Sequence, residues 1–463
     1  MNKYKNLTRS TIVLSIGTFG SKLISFFLVS LYTAYLSAAE SSAADLVTKT
    51  ANLIIPLAIV GIDEAIVRFR LEGKYSKQEL YSAGLRVMLA GYLGCLALFP
   101  FFNWLPDTKD FLLETYLFIF AAGFRVLNQQ FIRSRGLLRL FALDGILTAF
   151  NLLIAYVVAF VVLDAGSKGY ILANVAADIC SSVFLMAAAG NFRCINFKSI
   201  SKGLTKKMLK YALPLLPAYL LWGIVSSSDA FMVKYIVGEE ENGLYSVAYK
   251  IPMLISFVSA VFYQAWHLSA ITEFKSNGAE KFYTNVFGAY SSVMYVGAAG
   301  VLAVLIPVTK YVIDAEYFDS YRYAPMLVIA VLMSSMCQFM SSIYAAAKKT
   351  KNSLYTSALA AGTNILLNCI LIPKFGAQGA AFATMMSYFV CFIVRAANTR
   401  RIVAYKINYG RFLFNLAALS AMCTALIADM EYLPVILILT FALVLVFNLS
   451  EVLKMARKIM ARQ

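Results

Sequence analysis

Apolar residues in this chain come in runs of about 20 or more, broken by short polar stretches, which is the length a helix needs to cross the hydrocarbon core of a bilayer. Such runs begin near Thr11, Ala43, Leu80, Phe111, Leu140, Lys168, Tyr211, Gly243, Tyr283, Tyr323, Ser353, Gly376, Arg411 and Tyr432. About fourteen helices of about 22 residues leave roughly ten residues for each connection, too few for a separate water-soluble domain. The pattern predicts an all-α polytopic membrane protein.

Composition points the same way. Hydrophobic residues make up 60% of the 463 positions and charged residues 14%, against about 45–50% and about 25% in ordinary soluble domains. The net charge of +17 suits no nucleic-acid partner, because the cations are thinly spread among apolar runs. Their placement fits a topology instead. With the N-terminus inside, the inner segments hold about 30 of the 41 basic residues and the outer loops about 5, as the positive-inside rule requires. The inner loops carry Arg68/Arg70/Lys74/Lys77, Arg133/Arg135/Arg139, Arg193 to Lys210, Lys348/Lys349/Lys351 and Arg395 to Lys406, while Glu239-Glu240-Glu241 and Asp314/Glu316/Asp319 lie outside. Both termini are then cytoplasmic, and the basic face attracts anionic lipid.

Seven cysteines form no CxxC pair and His267 is the lone histidine. No metal site, disulfide framework or cofactor is indicated. Ser37-Ala38-Ala39 resembles a leader cleavage site, but the run before it is too long for a signal peptide and contains Lys22, so it reads as a first span.

The chain also repeats itself. Asn151-Leu-Leu is followed by Gly166-Ser-Lys-Gly169 and Ala173, and Asn364-Ile-Leu by Gly376-Ala-Gln-Gly379 and Ala383, while a shift of 201 positions places Lys49 on Lys250. An even number of helices per repeat gives a parallel repeat about an axis along the membrane normal, an arrangement that transporters use. The expected organisation is a six-helix lobe over 1–192, a basic cytoplasmic linker over 193–210, a second six-helix lobe over 211–397, and two C-terminal helices with a tail over 398–463.

Segment 364–387 resembles the twelfth-helix region of bacterial polysaccharide (Wzx-type) flippases, and so do Ser25 to Ser37, Asp45-Leu-Val and Glu64-Ala-Ile-Val-Arg-Phe69. The chain departs from that pattern at Ser30, where the family often has Pro, and at Ser41-Ser42-Ala43, where it often has Tyr-Gly. The resemblance implies the multidrug/oligosaccharidyl-lipid/polysaccharide exporter fold in the bacterial inner membrane. It further implies alternating-access movement of an undecaprenyl-diphosphate-linked oligosaccharide to the outer leaflet, with a glycan polymerase or glycosyltransferases as further partners.

Independently of family, Lys22, Lys49, Arg86, Arg125, Lys234 and Lys250 fall inside spans, where a charge costs about 2.5–3.5 kcal/mol near a helix centre and so should face protein or water. Arg86 and Lys234 lie near enough to a helix end to snorkel. Lys22 is about 16 Å from the inner end of its helix, near the midplane. Ser15, Thr18, Lys22 and Ser25 form one polar stripe, and Asp45, Lys49, Asn52 and Pro56 a second. Lys22, Lys49, Lys250 and Arg125 are the candidate headgroup contacts, with Ser15, Thr18, Ser25 and Asn52 lining the cavity. The resemblance also implies headgroup contacts by the cations of helices 1, 2 and 8. Competing structural roles are an Asp45–Lys49 pair, an Arg125–Asp144 pair and an Asp229–Lys250 bridge. Asp178 is a coupling site or the partner of a cation, and Asp229 is placed in the same class. Pro214 and Pro217 are expected to form a hinge in helix 7.

Two rival readings remain: a drug exporter of the same fold, disfavoured by the cationic interior, and a glycan polymerase or ligase, for which no outer segment is long enough. The chain has no GxxxxGK[ST] sequence. Outward movement of an anion is downhill by about 2.3 kcal/mol per charge per 100 mV, which would make nucleotide hydrolysis unnecessary.

Overall fold

A computed structural model describes residues 20–97, 109–274, 276–347 and 349–460. All regular elements among them are helical. The chain divides into two compact units, Met1–Ser227 and Ser228–Gln463.

In the first unit the long elements are α1 (Gly20–Thr33), α2 (Ala38–Ala58), α3 (Ile62–Leu71), α4 (Lys77–Leu96), α5 (Leu112–Ser134), α6 (Leu138–Val157) and α7 (Gly166–Ala188). Helix α8 (Leu204–Ala212) leads through one 3-10 turn into α9 (Leu216–Ile236), which carries the boundary. The second unit continues with α10 (Glu239–Ala248), α11 (Met253–Glu273), α12 (Ala279–Ala303), α13 (Leu305–Val312), α14 (Ala324–Ala346), α15 (Thr350–Arg400), α16 (Tyr409–Ile427) and α17 (Leu433–Met460).

Among the described residues, seven helices are long and apolar enough to cross a membrane, and two bent pairs raise the number to nine. The pairs are Ala38–Ala58 with Ile62–Arg70, bent by 48°, and Glu239–Ala248 with Met253–Tyr263, bent by 43°. Helices α4, α5 and α9 stand where further spans were expected and carry Arg86, Arg125 and Asp229. Helix α15 accommodates two expected spans, because Gly376 at φ 56°, ψ −142° turns the chain inside it.

Local chemistry explains several boundaries. Ser37, which resembled a cleavage site, caps α2: its hydroxyl accepts from the Glu40 N–H, and the Glu40 carboxylate accepts from the Ser37 N–H. Ser76 and Glu79 form the same capping box at α4. The repeated glycines also have a structural counterpart. Gly166 and Gly376 both adopt positive φ, at 52° and 56°, which glycine tolerates without strain. Three residues later, a Cβ on Gly169 would lie 3.2 Å from the Ala159 side chain, and one on Gly379 would lie 2.5 Å from the Leu371 carbonyl oxygen. Each motif turns the chain and then lets a helix approach its predecessor closely.

In the first unit, Ile62, Ile66, Leu80, Leu127, Phe131 and Met208 belong to one buried cluster joining α3, α4, α5 and α8. The segment expected to be a linker is therefore partly core. In the second unit, Phe262, Trp266, Tyr290 and Phe339 stack on one another, with Trp266 and Phe339 centroids 4.3 Å apart.

Candidate functional site

Each unit buries charge in its own way. In the first, Lys49 Nζ lies 2.6 Å from Asp45 on the preceding turn of α2, with side-chain exposures of 25% and 10%. Asn52, one turn further, is exposed. Lys22 and Ser25 are exposed on α1, and the Ser25 hydroxyl donates to the Ser21 carbonyl at 2.9 Å. Ser15 and Thr18, the other members of that stripe, lie outside the described residues, as does the side chain of His267.

Arg125 on α5 does not pair with Asp144, as depth along the chain suggested. Its Nη1 donates to Asp178 Oδ1 on α7 at 2.8 Å. Asp144 on α6 is fully buried and accepts from Gln129 Nε2 at 2.7 Å and from the Ser181 hydroxyl at 2.6 Å. Depth is a coordinate along the helix axis, whereas the direction around that axis decides which carboxylate Arg125 meets. Arg125 Nε is buried without a hydrogen-bond partner among the described residues.

In the second unit, Asp229 on α9 is enclosed by neutral donors in place of the bridge to Lys250 that was its competing structural role. Its carboxylate accepts from Asn368 Nδ2 at 2.5 Å, the Thr384 hydroxyl at 2.5 Å and the Tyr245 hydroxyl at 3.2 Å. Asn364 Nδ2 donates to Thr384 Oγ1 at 3.2 Å, and Asn364 Oδ1 accepts from Asn368 Nδ2 at 3.1 Å and from Ser228 at 3.2 Å. Asn368 Oδ1 is buried and has no partner among the described residues. The Asp229 carboxylate is thus held by three neutral donors of the protein itself. No group of three His, Cys, Asp or Glu side chains among the described residues could hold a metal ion.

Lys250 is half-buried and stands at the break between α10 and α11, not inside a continuous helix. Pro214 occupies the 3-10 turn before α9, and Pro217 is the second residue of that helix. In a first turn the missing N–H removes no helical bond, so both prolines shape the entrance to the helix and not its middle.

Sequence reasoning passed over Asn368, Thr384 and Tyr245 and took Asn364 only as a marker of the repeat. The signal was present: Asn364 and Asn368, four apart in an apolar run, share one helix face. Arg395 was read as a loop cation but is buried on α15. Its Nε donates to Thr356 (2.9 Å), Nη1 to the Cys337 carbonyl (2.9 Å) and Ser341 (2.5 Å), and Nη2 to Ser357 (2.8 Å) and the Ser353 carbonyl (3.4 Å).

Residues 7–267 match the model of a family described as polysaccharide biosynthesis protein. No curated protein matches the sequence. Among solved structures, the lipid II flippase MurJ in an inward closed conformation is 15% identical with a TM-score of 0.73, covering 97% of this chain and 100% of its own. An inward-facing multidrug resistance MATE family transporter of the MOP superfamily is 14% identical with a TM-score of 0.66, covering 84% and 98%. A MOP superfamily transporter from Pyrococcus furiosus is 13% identical with a TM-score of 0.59, covering 86% and 96%. At these identities the likeness concerns the fold.

Proposed function

On the premise that the chain belongs to the polysaccharide biosynthesis protein family and has the fold of MOP superfamily transporters, we propose that it is an alternating-access flippase for an undecaprenyl-diphosphate-linked oligosaccharide destined for the cell surface. The observation that carries this reading is the family match over residues 7–267. The lipid-linked cargo of MurJ, a protein similar in fold, supports the substrate class.

The chemistry is electrostatic. A diphosphate crossing a low-dielectric layer loses its hydration, and cations along a hydrated path offset part of that loss. Lys22, exposed on α1, is the first contact in this scheme. Lys49 and Arg125 meet the headgroup by exchanging Asp45 and Asp178 for phosphate oxygens, and Lys250 acts at the break between α10 and α11. Ser15, Thr18, Ser25 and Asn52 supply neutral polar lining. Lysine binds phosphate as a point charge, which suits a site that must release its cargo. The membrane potential drives the anion outward, and Asp178 and Asp229 are the places where a coupling proton or cation would act. Pro214 and Pro217 set the angle at which α9 leaves its 3-10 turn.

The test is movement of lipid-linked oligosaccharide between leaflets of proteoliposomes under a potassium-diffusion potential, without nucleotide and without a pH or sodium gradient. The expected result is flipping that follows the potential, is lost in Lys22→Ala and is partly retained in Lys22→Arg. Full activity of Lys22→Ala at equal protein abundance removes Lys22 from the headgroup path. Energised efflux of a cationic dye with no lipid flipping would replace this reading with that of a drug exporter.

A further inference from the structure

The stretch joining α7 to α8, which overlaps the basic linker expected over 193–210, is folded down onto the first unit. After Gly190, at φ 63°, come two 3-10 turns, Asn191–Cys194 and Phe197–Ser199, and then α8. Fully buried Asn191 donates to Asn128 Oδ1 at 3.0 Å, and Arg135 Nη1 donates to Asn191 Oδ1 at 2.9 Å and to the Ala189 carbonyl at 2.8 Å. The Ser82 hydroxyl donates to the Cys194 carbonyl at 3.0 Å and accepts from the Asn196 N–H at 2.8 Å. Ser201 donates to Glu79, and Arg86 Nη2 donates to Thr205 Oγ1 at 2.5 Å. Leu204, Met208 and Ala212, four apart on α8, enter the core with Ile62 and Leu80.

The other face of the segment is the opposite in chemistry. Arg193, Lys198, Lys202, Lys206, Lys207 and Lys210 are all exposed, and positions 189–212 contain no Asp or Glu. Phe192, Ile195 and Phe197 are exposed among these cations, as are Tyr211 near the end of α8 and Leu213 just after it. Apolar side chains among lysines, with no acid, form the composition that settles at a bilayer interface and collects anionic lipid. Connectivity supports that location, because the segment follows α7, which is long and apolar enough to cross a membrane, and leads into α9, which stands where a further span was expected.

A comparison within the chain shows that a basic connection need not have this property. In the second unit, Arg395 is satisfied by neutral acceptors, Arg400 donates to Tyr409 at 2.6 Å, Lys406 lies 4.0 Å from Glu280, and Arg411 is bridged to Glu451 at 3.3 Å. Those cations are used internally. None of the cations of the 189–212 segment forms a salt bridge with a carboxylate among the described residues.

We propose that residues 189–212 are a rigid docking platform for the phosphate headgroups of anionic phospholipids, with Arg193, Lys198, Lys202, Lys206 and Lys210 as the phosphate contacts and Phe192, Ile195 and Phe197 seated among the lipid glycerol backbones. Because the platform is hydrogen-bonded to α4 and α5, bound lipid acts on the body of the first unit and not on a loose tether. The inference is independent of which cargo the protein moves.

The test is native mass spectrometry of the intact protein released from bilayers of equal phosphatidylglycerol and phosphatidylcholine. Wild-type protein should retain phosphatidylglycerol preferentially. The set Arg193→Gln, Lys198→Gln, Lys202→Gln, Lys206→Gln and Lys210→Gln should lose that preference, by about fivefold for each cation removed, the equivalent of about 1 kcal/mol each. Replacing the four lysines by arginine should preserve it, and raised salt should weaken it in the wild type. Arg401→Gln, on an exposed position of the other basic connection, should leave it unchanged. Equal retention of both lipids by the wild type overturns the proposal, as does an undiminished preference in the glutamine variant with unchanged melting temperature. If the glutamine variant does not fold, salt-insensitive retention by the wild type overturns it.

Discussion

Two cations of the first unit, Lys49 and Arg125, face opposite charges, whereas Asp229 and Arg395 of the second unit are surrounded by neutral groups, as Asp144 of the first unit is. Lys49 faces Asp45 and Arg125 faces Asp178, and both cationic side chains remain one-quarter exposed. Asp229 instead sits among Tyr245, Asn368 and Thr384, and Arg395 among serines, a threonine and backbone carbonyls. Even the first helices differ, with Lys22 on α1 and Asp229 on α9. A half-wet ion pair can exchange one partner for another at small loss, because incoming charge replaces outgoing charge. A dry carboxylate held by neutral donors has no such substitute, and displacing it leaves several donors empty at once. The Lys49 and Arg125 pairs are thus able to trade partners, whereas the Asp229 and Arg395 sites hold one arrangement firmly.

The strongest test of that contrast is a double-mutant cycle on Arg125 and Asp178. Arg125→Leu or Asp178→Leu alone should lower stability by about 3–5 kcal/mol, because each leaves a charge uncompensated inside the protein, and the double variant should recover most of the loss. Chemical unfolding in detergent measures it, and additive losses would mean that the pair is not an exchangeable unit. Next in size is Asp229→Ala, which strands three donors and at about 0.6 kcal/mol per bond should lower stability by about 2 kcal/mol. Here no single second substitution should restore the loss, and a rescue by Asn368→Leu would erase the distinction between the two kinds of site. Lys49→Ala should change stability by only about 0.5 kcal/mol, the scale of a helical i,i+4 pair; a larger thermal shift would mean that this pair behaves like a buried one.

The smallest effect is at an exposed carboxylate. The Ser201 hydroxyl and then the Ser76 N–H hold the Glu79 carboxyl below its ordinary value of 4.5. A depressed folded-state value gives stability that is present above the ordinary value and lost as pH falls through the folded one. The attachment of residues 196–204 to α4 should therefore loosen below about pH 4.5, as amide exchange would report, and Glu79→Gln should remove the pH dependence.

The spans were legible because a run of about 20 apolar residues has few other uses. The repeat was legible because Gly166 and Gly376 meet a demand on φ that other residues meet poorly. Partners were harder to assign. Asp144 and Asp178 are both acids near Arg125, and only the packing of α5 against α7 selects Asp178. Likewise Asp229 and Lys250 lie at similar depth, but the bond to Asn368 spans 139 positions of sequence. The breaks near Gly61 and Lys250 escaped notice because the apolar stretches on either side outweigh the polar residues Asp63 and Glu64 and the Lys250-Ile251-Pro252 step that mark them.

The surroundings of Arg395 bear on how this protein can change over generations. Its guanidinium has five N–H groups, all engaged, with acceptors on α14 and the first half of α15. No other natural side chain offers that many donors in one plane, so a drift to lysine abandons acceptors already out of water. Loss of Ser341, Thr356 or Ser357 would in turn strand a donor. These positions can be exchanged only together, and lineages that keep Arg395 should inherit its three hydroxyl partners as one block.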